Sequence, residues 1–180
     1  MRLRSSNDRW GLVARILHWG MFLLFGVTVF IGFYMVDLPR GFAKYQVYSR
    51  HKSLGITLLV LAVMRWLWRL IDTAPGRPVM PRWQSIMSSA MVAALYVVML
   101  VIPLSGWLYN SAAGFPLQWF GYIHWPALLD ANPSIKVIAR QVHEAAVYIF
   151  MGLLLVHIAA ACKHHWVDRD DIMRRMLPFR

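Results

Sequence analysis

At 180 residues the chain is long enough for a soluble domain, but 59% of it is AVILMFWYC and only 15% is charged, which excludes a solvated globule. Nineteen Lys and Arg against eight Asp and Glu give a formal net charge of +11. These bases bracket apolar runs instead of forming a stripe, so the expected counter-charges are membrane surface and small anions, and no nucleic acid.

Met1 to Arg15 is short and basic. The first expected span, 16–36, has no charged residue and carries His18 near its start. It is too long for a signal peptide, and no small-residue cleavage site follows it. Asp37-Leu38-Pro39-Arg40-Gly41 reads as a turn. A loop with Lys44, Arg50 and Lys52 then leads through His51 to the second span, 53–71. That span ends in Arg65, Trp66, Trp68 and Arg69, a mixture of snorkelling bases and interfacial aromatics. Pro75, Gly76, Pro78 and Pro81 make the next connection non-helical. The third span is 88–109, and Pro103 and Gly106 are expected to kink its far end. Gly114 to Leu129 is apolar but broken by Pro116, Gly121 and Pro126, so it reads as an interfacial segment. Lys136 to Arg140 lead into the fourth span, 143–162, and a charged tail follows. No repeat or low-complexity stretch divides the chain, so 1–180 reads as one all-α transmembrane domain, a bundle of four membrane-spanning helices. The lone Cys162 excludes an internal disulfide framework.

Counting bases on alternate sides gives the expected orientation. One side holds the N-terminus, the middle connection with Arg65, Arg69, Arg77 and Arg82, and the tail with Lys163, Arg169, Arg174, Arg175 and Arg180, thirteen bases in all. The other side holds six: Arg40, Lys44, Arg50, Lys52, Lys136 and Arg140. Both termini are expected in the cytoplasm of a multi-pass plasma-membrane protein.

His143 and His157 stand fourteen residues apart around an 18-residue stretch, 145–162, that has no charged residue. On a helix that is about 21 Å of rise with only about 40° of rotation, so both imidazoles face one way at two membrane depths. Polar side chains in a span are costly and ordinarily have a partner. The topology puts His18 level with His157 at the inner depth, and His51 level with His143 at the outer depth. Paired imidazoles on facing helices of a bundle make a cage for haem b, an inner one on His18 and His157 and an outer one on His51 and His143. Two axial protein ligands leave the iron no open position, which points to electron transfer.

Gly32 is also fourteen residues from His18 and would leave room for the outer porphyrin, while Gly55 lies one turn after His51 and would clear space beside it. The same glycines would equally serve close helix packing. Arg65, fourteen after His51, faces inward at the inner depth, where it would pair with a haem propionate or snorkel to headgroups. His124 reads as structural, His164 and His165 as surface residues or propionate contacts, and the eleven methionines as apolar filling. No Cys motif marks zinc or an iron–sulfur cluster, and no Gly-rich loop marks a nucleotide.

These residues resemble the bacterial di-haem cytochrome b561 family of the inner membrane. The likeness rests on Arg15-Ile-Leu-His18-Trp19, His51-Lys52-Ser53-Leu54-Gly55, Arg65-Trp66-Leu67-Trp68-Arg69 and Pro103-Leu104-Ser105-Gly106-Trp107. His143, His157, Lys163 to Asp171 and Arg174 to Pro178 complete it. The resemblance implies four spans, two haem b and exchange with the quinone pool, with axial ligands at His18, His51, His143 and His157. One branch of the family is similar to superoxide oxidase, which moves electrons from superoxide at the periplasmic face to ubiquinone. Arg50 and Lys52, with Arg40 and Lys44, would draw a small anion to the outer haem, or would contact lipid headgroups and propionates. Two functions follow from this resemblance. One is a self-contained conduit, possessing superoxide:ubiquinone oxidoreductase activity, between a periplasmic redox donor and quinone. The other is a haem-bearing membrane anchor for a separate dehydrogenase or hydrogenase.

Overall fold

The computed structural model describes residues 2–76 and 80–177. Arg77 and Pro78 of the middle connection, and Pro178 and Arg180 of the tail, lie outside the described residues. Four long helices carry the chain: α1 (Leu12–Asp37), α2 (Phe42–Ile71), α3 (Arg82–Ala112) and α4 (Pro133–Trp166). All four are long and apolar enough to cross a membrane. Between α3 and α4 stand two short strands, β1 (Leu117–Trp119) and β2 (Ile123–Trp125), and a short α5 (Ile172–Met176) closes the chain.

Both α2 and α4 begin well before the apolar runs. The segment around Lys44 and Arg50 is helix, not loop, so His51 sits more than two turns inside α2. Helix α4 starts at Pro133, whose missing N–H costs nothing in a first turn. Asn132 caps it, its side chain accepting from the amides of Ser134 and Ile135 at 3.1 Å each. Hydrophobicity marks the part of a helix that lipid surrounds, and these polar first turns project past it. Pro103 lies inside α3, which continues helical to Ala112.

Segment 114–129 holds an antiparallel hairpin with Gln118 opposite His124. Its turn passes through Phe120 and Gly121, both with positive φ, and the Tyr122 amide donates to Trp119 O at 3.0 Å. With Trp119 paired to Ile123, the three residues Phe120, Gly121 and Tyr122 form a short hairpin loop. The hairpin is pinned to α2 by the Phe120 amide donating to Ser53 Oγ at 2.9 Å and the Trp119 indole donating to Thr57 Oγ1 at 3.0 Å.

The core draws two side chains from each long helix: Met21 and Phe25, Leu58 and Ala62, Val98 and Ile102, Ala146 and Phe150. Phe25 is seven residues from His18, Leu58 seven from His51, and Phe150 seven from both His143 and His157. Two turns along each helix therefore bring the chain from a histidine to the core, where Phe25 and Phe150 meet at 4.8 Å between ring centroids. An apolar plug separates two histidine levels. Outward, large apolar side chains such as Phe30, Leu23 and Leu155 stay exposed, as a lipid-facing surface requires.

Both termini lie at one end of the bundle. Ser5 donates to the buried Asp72 carboxylate through its amide at 2.9 Å and its hydroxyl at 2.6 Å. The Trp10 amide donates to Arg175 O at 3.3 Å, and the Trp19 indole to Met176 O at 2.9 Å. The N-terminal segment, the end of α2 and the C-terminal segment thus knot together beneath the four helices.

Candidate haem sites

At the end bearing the termini, α1 contributes His18 and α4 contributes His157, with ring centroids 6.2 Å apart. Toward the hairpin end, His51 of α2 and His143 of α4 are also 6.2 Å apart, with planes at 86°. Two imidazole–metal bonds of about 2 Å each, plus the radius of a ring at either side, span roughly 6 Å. Both pairs have the spacing of two imidazoles sharing one metal ion.

The outer pair is oriented by backbone. His51 Nδ1 lies 3.2 Å from Thr28 O of α1, and His143 Nδ1 lies 2.8 Å from Ile102 O of α3. Each carbonyl can only accept, so the proton belongs on Nδ1 and Nε2 is left as the free donor atom for a metal. Ser105 Oγ lies 3.3 Å from His143 Nδ1 and bonds Ile102 O itself at 2.9 Å. Glycines then admit the rings: a Cβ on Gly106 would stand 3.0 Å from His143 Cε1, and one on Gly32 would stand 3.1 Å from His51 Cε1. The space at Gly32 is thus occupied by the His51 imidazole. A Cβ on Gly55 would meet no protein atom within 4 Å.

His18 of the other pair has the opposite polarity. Arg65 Nη2 is 3.2 Å from His18 Nδ1, and a guanidinium only donates, so Nδ1 accepts. Arg65 also reaches Ala14 O at 3.4 Å and lies 5.7 Å from the Tyr96 ring centroid. His18, Arg65 and His157 share one cavity with apolar walls from Leu17, Val92 and Met176. A flat apolar group with acidic substituents, held by imidazole on both faces, suits that lining.

The basic residues at the hairpin end divide. Lys44 caps α1, donating to Val36 O at 3.0 Å and Leu38 O at 2.7 Å, so its charge is committed. Arg50 is exposed one residue before His51. Lys52 is partly buried with its ammonium 5.4 Å from the Phe115 ring centroid, and it lines a small cavity with Tyr48, Ser49 and Gln118. His124 pairs with Gln118 on the hairpin at 3.2 Å. His164 Nδ1 bonds Asp170 at 2.6 Å beside Asp168, whose carboxylate Lys163 already neutralises at 2.6 Å. Burial and these partners account for His164 as an ionic tie at the end of α4. Thr28, Ile102 and Gly106 act on the histidines through backbone or absent atoms, and Ser105 acts through its hydroxyl. Of these only Gly106 and Ser105, inside the Pro103 to Trp107 motif, carried a sequence signal.

A sequence model of the family described as prokaryotic cytochrome b561 matches residues 9–179. The chain is 31% identical over 182 residues to cytochrome b561 homolog 2 of Escherichia coli, covering 98% of this chain and 95% of that one. It is 28% identical over 166 residues to cytochrome b561 homolog 1 of the same species, covering 91% and 94%. It is also 30% identical over 169 residues to the probable superoxide oxidase CybB of Yersinia pestis, covering 90% and 92%.

Proposed function

From the premise that this chain belongs to the prokaryotic cytochrome b561 family, and is therefore a multi-pass bacterial membrane protein of haem-b electron transfer, we propose a di-haem conduit between a periplasmic donor and the quinone pool. Two equal imidazole pairs, each 6.2 Å between centroids and both using α4, carry this reading. His18 and His157 hold one haem, and His51 and His143 hold the other. Bound haem would supply one-electron exchange, with these four imidazoles as the residues that would hold it.

The side chains do the rest. Thr28 O and Ile102 O fix the outer imidazoles with Nε2 facing inward. The hairpin, anchored on Ser53 and Thr57, shields α2 beside His51 from water. The Phe25 and Phe150 rings keep the two levels apart in a dry interior. Arg65, now 3.2 Å from His18 Nδ1, would pair with a propionate, leaving His18 Nδ1 to carry the proton that a ligand imidazole needs.

Superoxide is the donor this reading names, supported by the likeness to the probable superoxide oxidase and by Lys52 and Arg50 near His51, which pair with no described carboxylate. Two superoxide ions each give one electron and leave as dioxygen; one ubiquinone takes both electrons and two protons and becomes ubiquinol. In this reading both termini face the cytoplasm of the inner membrane, which the excess of basic residues at that end supports. Stopped-flow mixing of the purified protein with superoxide and a short-chain ubiquinone tests the function. Fast haem reduction followed by quinol formation is expected. Quinone reduction only when a soluble dehydrogenase or hydrogenase subunit is added would replace the conduit by an anchor.

A further inference from the structure

The last turns of α2 set Arg65, Trp68 and Arg69 three and four residues apart, on one face, against the cavity that holds His18 and His157. Two observations there remain unexplained by packing. The Trp68 indole N–H is buried and has no hydrogen-bond partner among the described residues. A buried donor without an acceptor is costly and seldom retained. Among the described residues Arg65 hydrogen-bonds a carbonyl at 3.4 Å and an imidazole nitrogen at 3.2 Å and lies over the Tyr96 ring, so its charge faces no described carboxylate. Asp72, the acid nearest in that lining, has both oxygens engaged by Ser5. Arg69 donates to the Asp72 carbonyl at 3.1 Å and lies 5.7 Å from the Trp10 ring centroid, adding positive potential beside the cavity.

We propose that Trp68 is a carboxylate-binding residue: its indole N–H donates to a propionate of the inner haem, beside the charge of Arg65. This rests on the reading that His18 and His157 hold that haem. Donors of two kinds then meet one anionic edge, a charged fork from Arg65 and a neutral N–H from Trp68, while Ala14, Leu17 and Val92 face the apolar part of the ring. The indole would be buried because its acceptor arrives with the cofactor.

Trp68→Phe keeps an aromatic ring and removes the N–H. Purified protein, wild type and variant, is loaded with haem or with its dimethyl ester, and haem loss to excess apomyoglobin and the midpoint potentials are measured. With ordinary haem the variant should lose one haem about tenfold faster, as expected for one hydrogen bond to a charged group. The potential of that haem should fall, because its propionate charge is less well neutralised, and the other haem's should not move. With the diester, wild type and variant should coincide. Equal loss rates and potentials with ordinary haem overturn the proposal, as does a difference that persists with the diester. Should the variant fail to fold, the wild-type indole N–H resonance decides: it must move when haem is exchanged for diester, and an unmoved resonance overturns the proposal. His18→Ala separates the two levels of inference, since a variant that keeps both haems overturns the ligand reading and this proposal with it.

Discussion

His143 and Gly106 stand so close that a single added methyl group on α3 would lie 3.0 Å from Cε1 and 3.1 Å from Nδ1 of the imidazole. The same ring is held from behind by Ile102 O at 2.8 Å. A residue with no side chain and a backbone carbonyl therefore aim this imidazole between them. Gly106→Ala should push the ring off its carbonyl at a cost of about 1–3 kcal/mol, as overpacking does. Haem titration of the purified variant should show the outer site weakened and the inner site unchanged.

Gly32 and Gly55 should respond differently to the same change. Gly32→Ala meets the His51 ring, so it should weaken the outer haem as Gly106→Ala does. At Gly55 no protein atom waits within 4 Å, and alanine in a helix is favoured over glycine by roughly 0.5–1 kcal/mol. Thermal melting of the haem-free Gly55→Ala protein should therefore show equal or higher stability. Weaker outer-haem binding in that variant would come from the porphyrin alone.

Arg65→Leu should leave the bundle folded and lower the potential of one haem. The missing guanidinium would no longer offset a propionate, a loss of about 1.5–3 kcal/mol for a hydrogen bond to a charged group. Redox titration followed in the visible spectrum measures this. An unchanged potential with full haem content would mean that Arg65 only tethers α2 to Ala14 O.

Lys52→Glu reverses a charge that no described carboxylate balances. Reduction by superoxide should slow by about tenfold at low salt, and the difference should shrink as ionic strength rises. Lys44→Gln should instead cost stability, because its ammonium caps α1.

How far the sequence carried this account depends on what each residue advertises. The four histidines were legible because one polar group in an apolar run stands out, and a spacing of fourteen preserves its direction. The same arithmetic reaches the core, with Phe25, Leu58 and Phe150 each seven residues from a histidine. The starts of α2 and α4 were hidden because apolar runs end where lipid ends, whereas hydrogen bonding continues through Lys44 and Lys136. Strands of three residues are too short to show alternation, so Pro116, Gly121 and Pro126 marked a break without showing the pairing of Gln118 with His124. Thr28 and Ile102 were beyond reach for another reason: they act through carbonyl oxygens, which every residue has. Trp68 reads as one more interfacial aromatic until its buried N–H is seen to lack a partner among the described residues.

The most direct test counts haem in wild type and in four single variants, His18→Ala, His51→Ala, His143→Ala and His157→Ala, by pyridine haemochrome assay and reduced-minus-oxidised spectra. Two haems per chain are expected in the wild type, with His18→Ala and His157→Ala losing the same one and His51→Ala and His143→Ala losing the other. A single haem, or losses that pair His143 with His157 along α4 instead of each with its partner across the bundle, would contradict it.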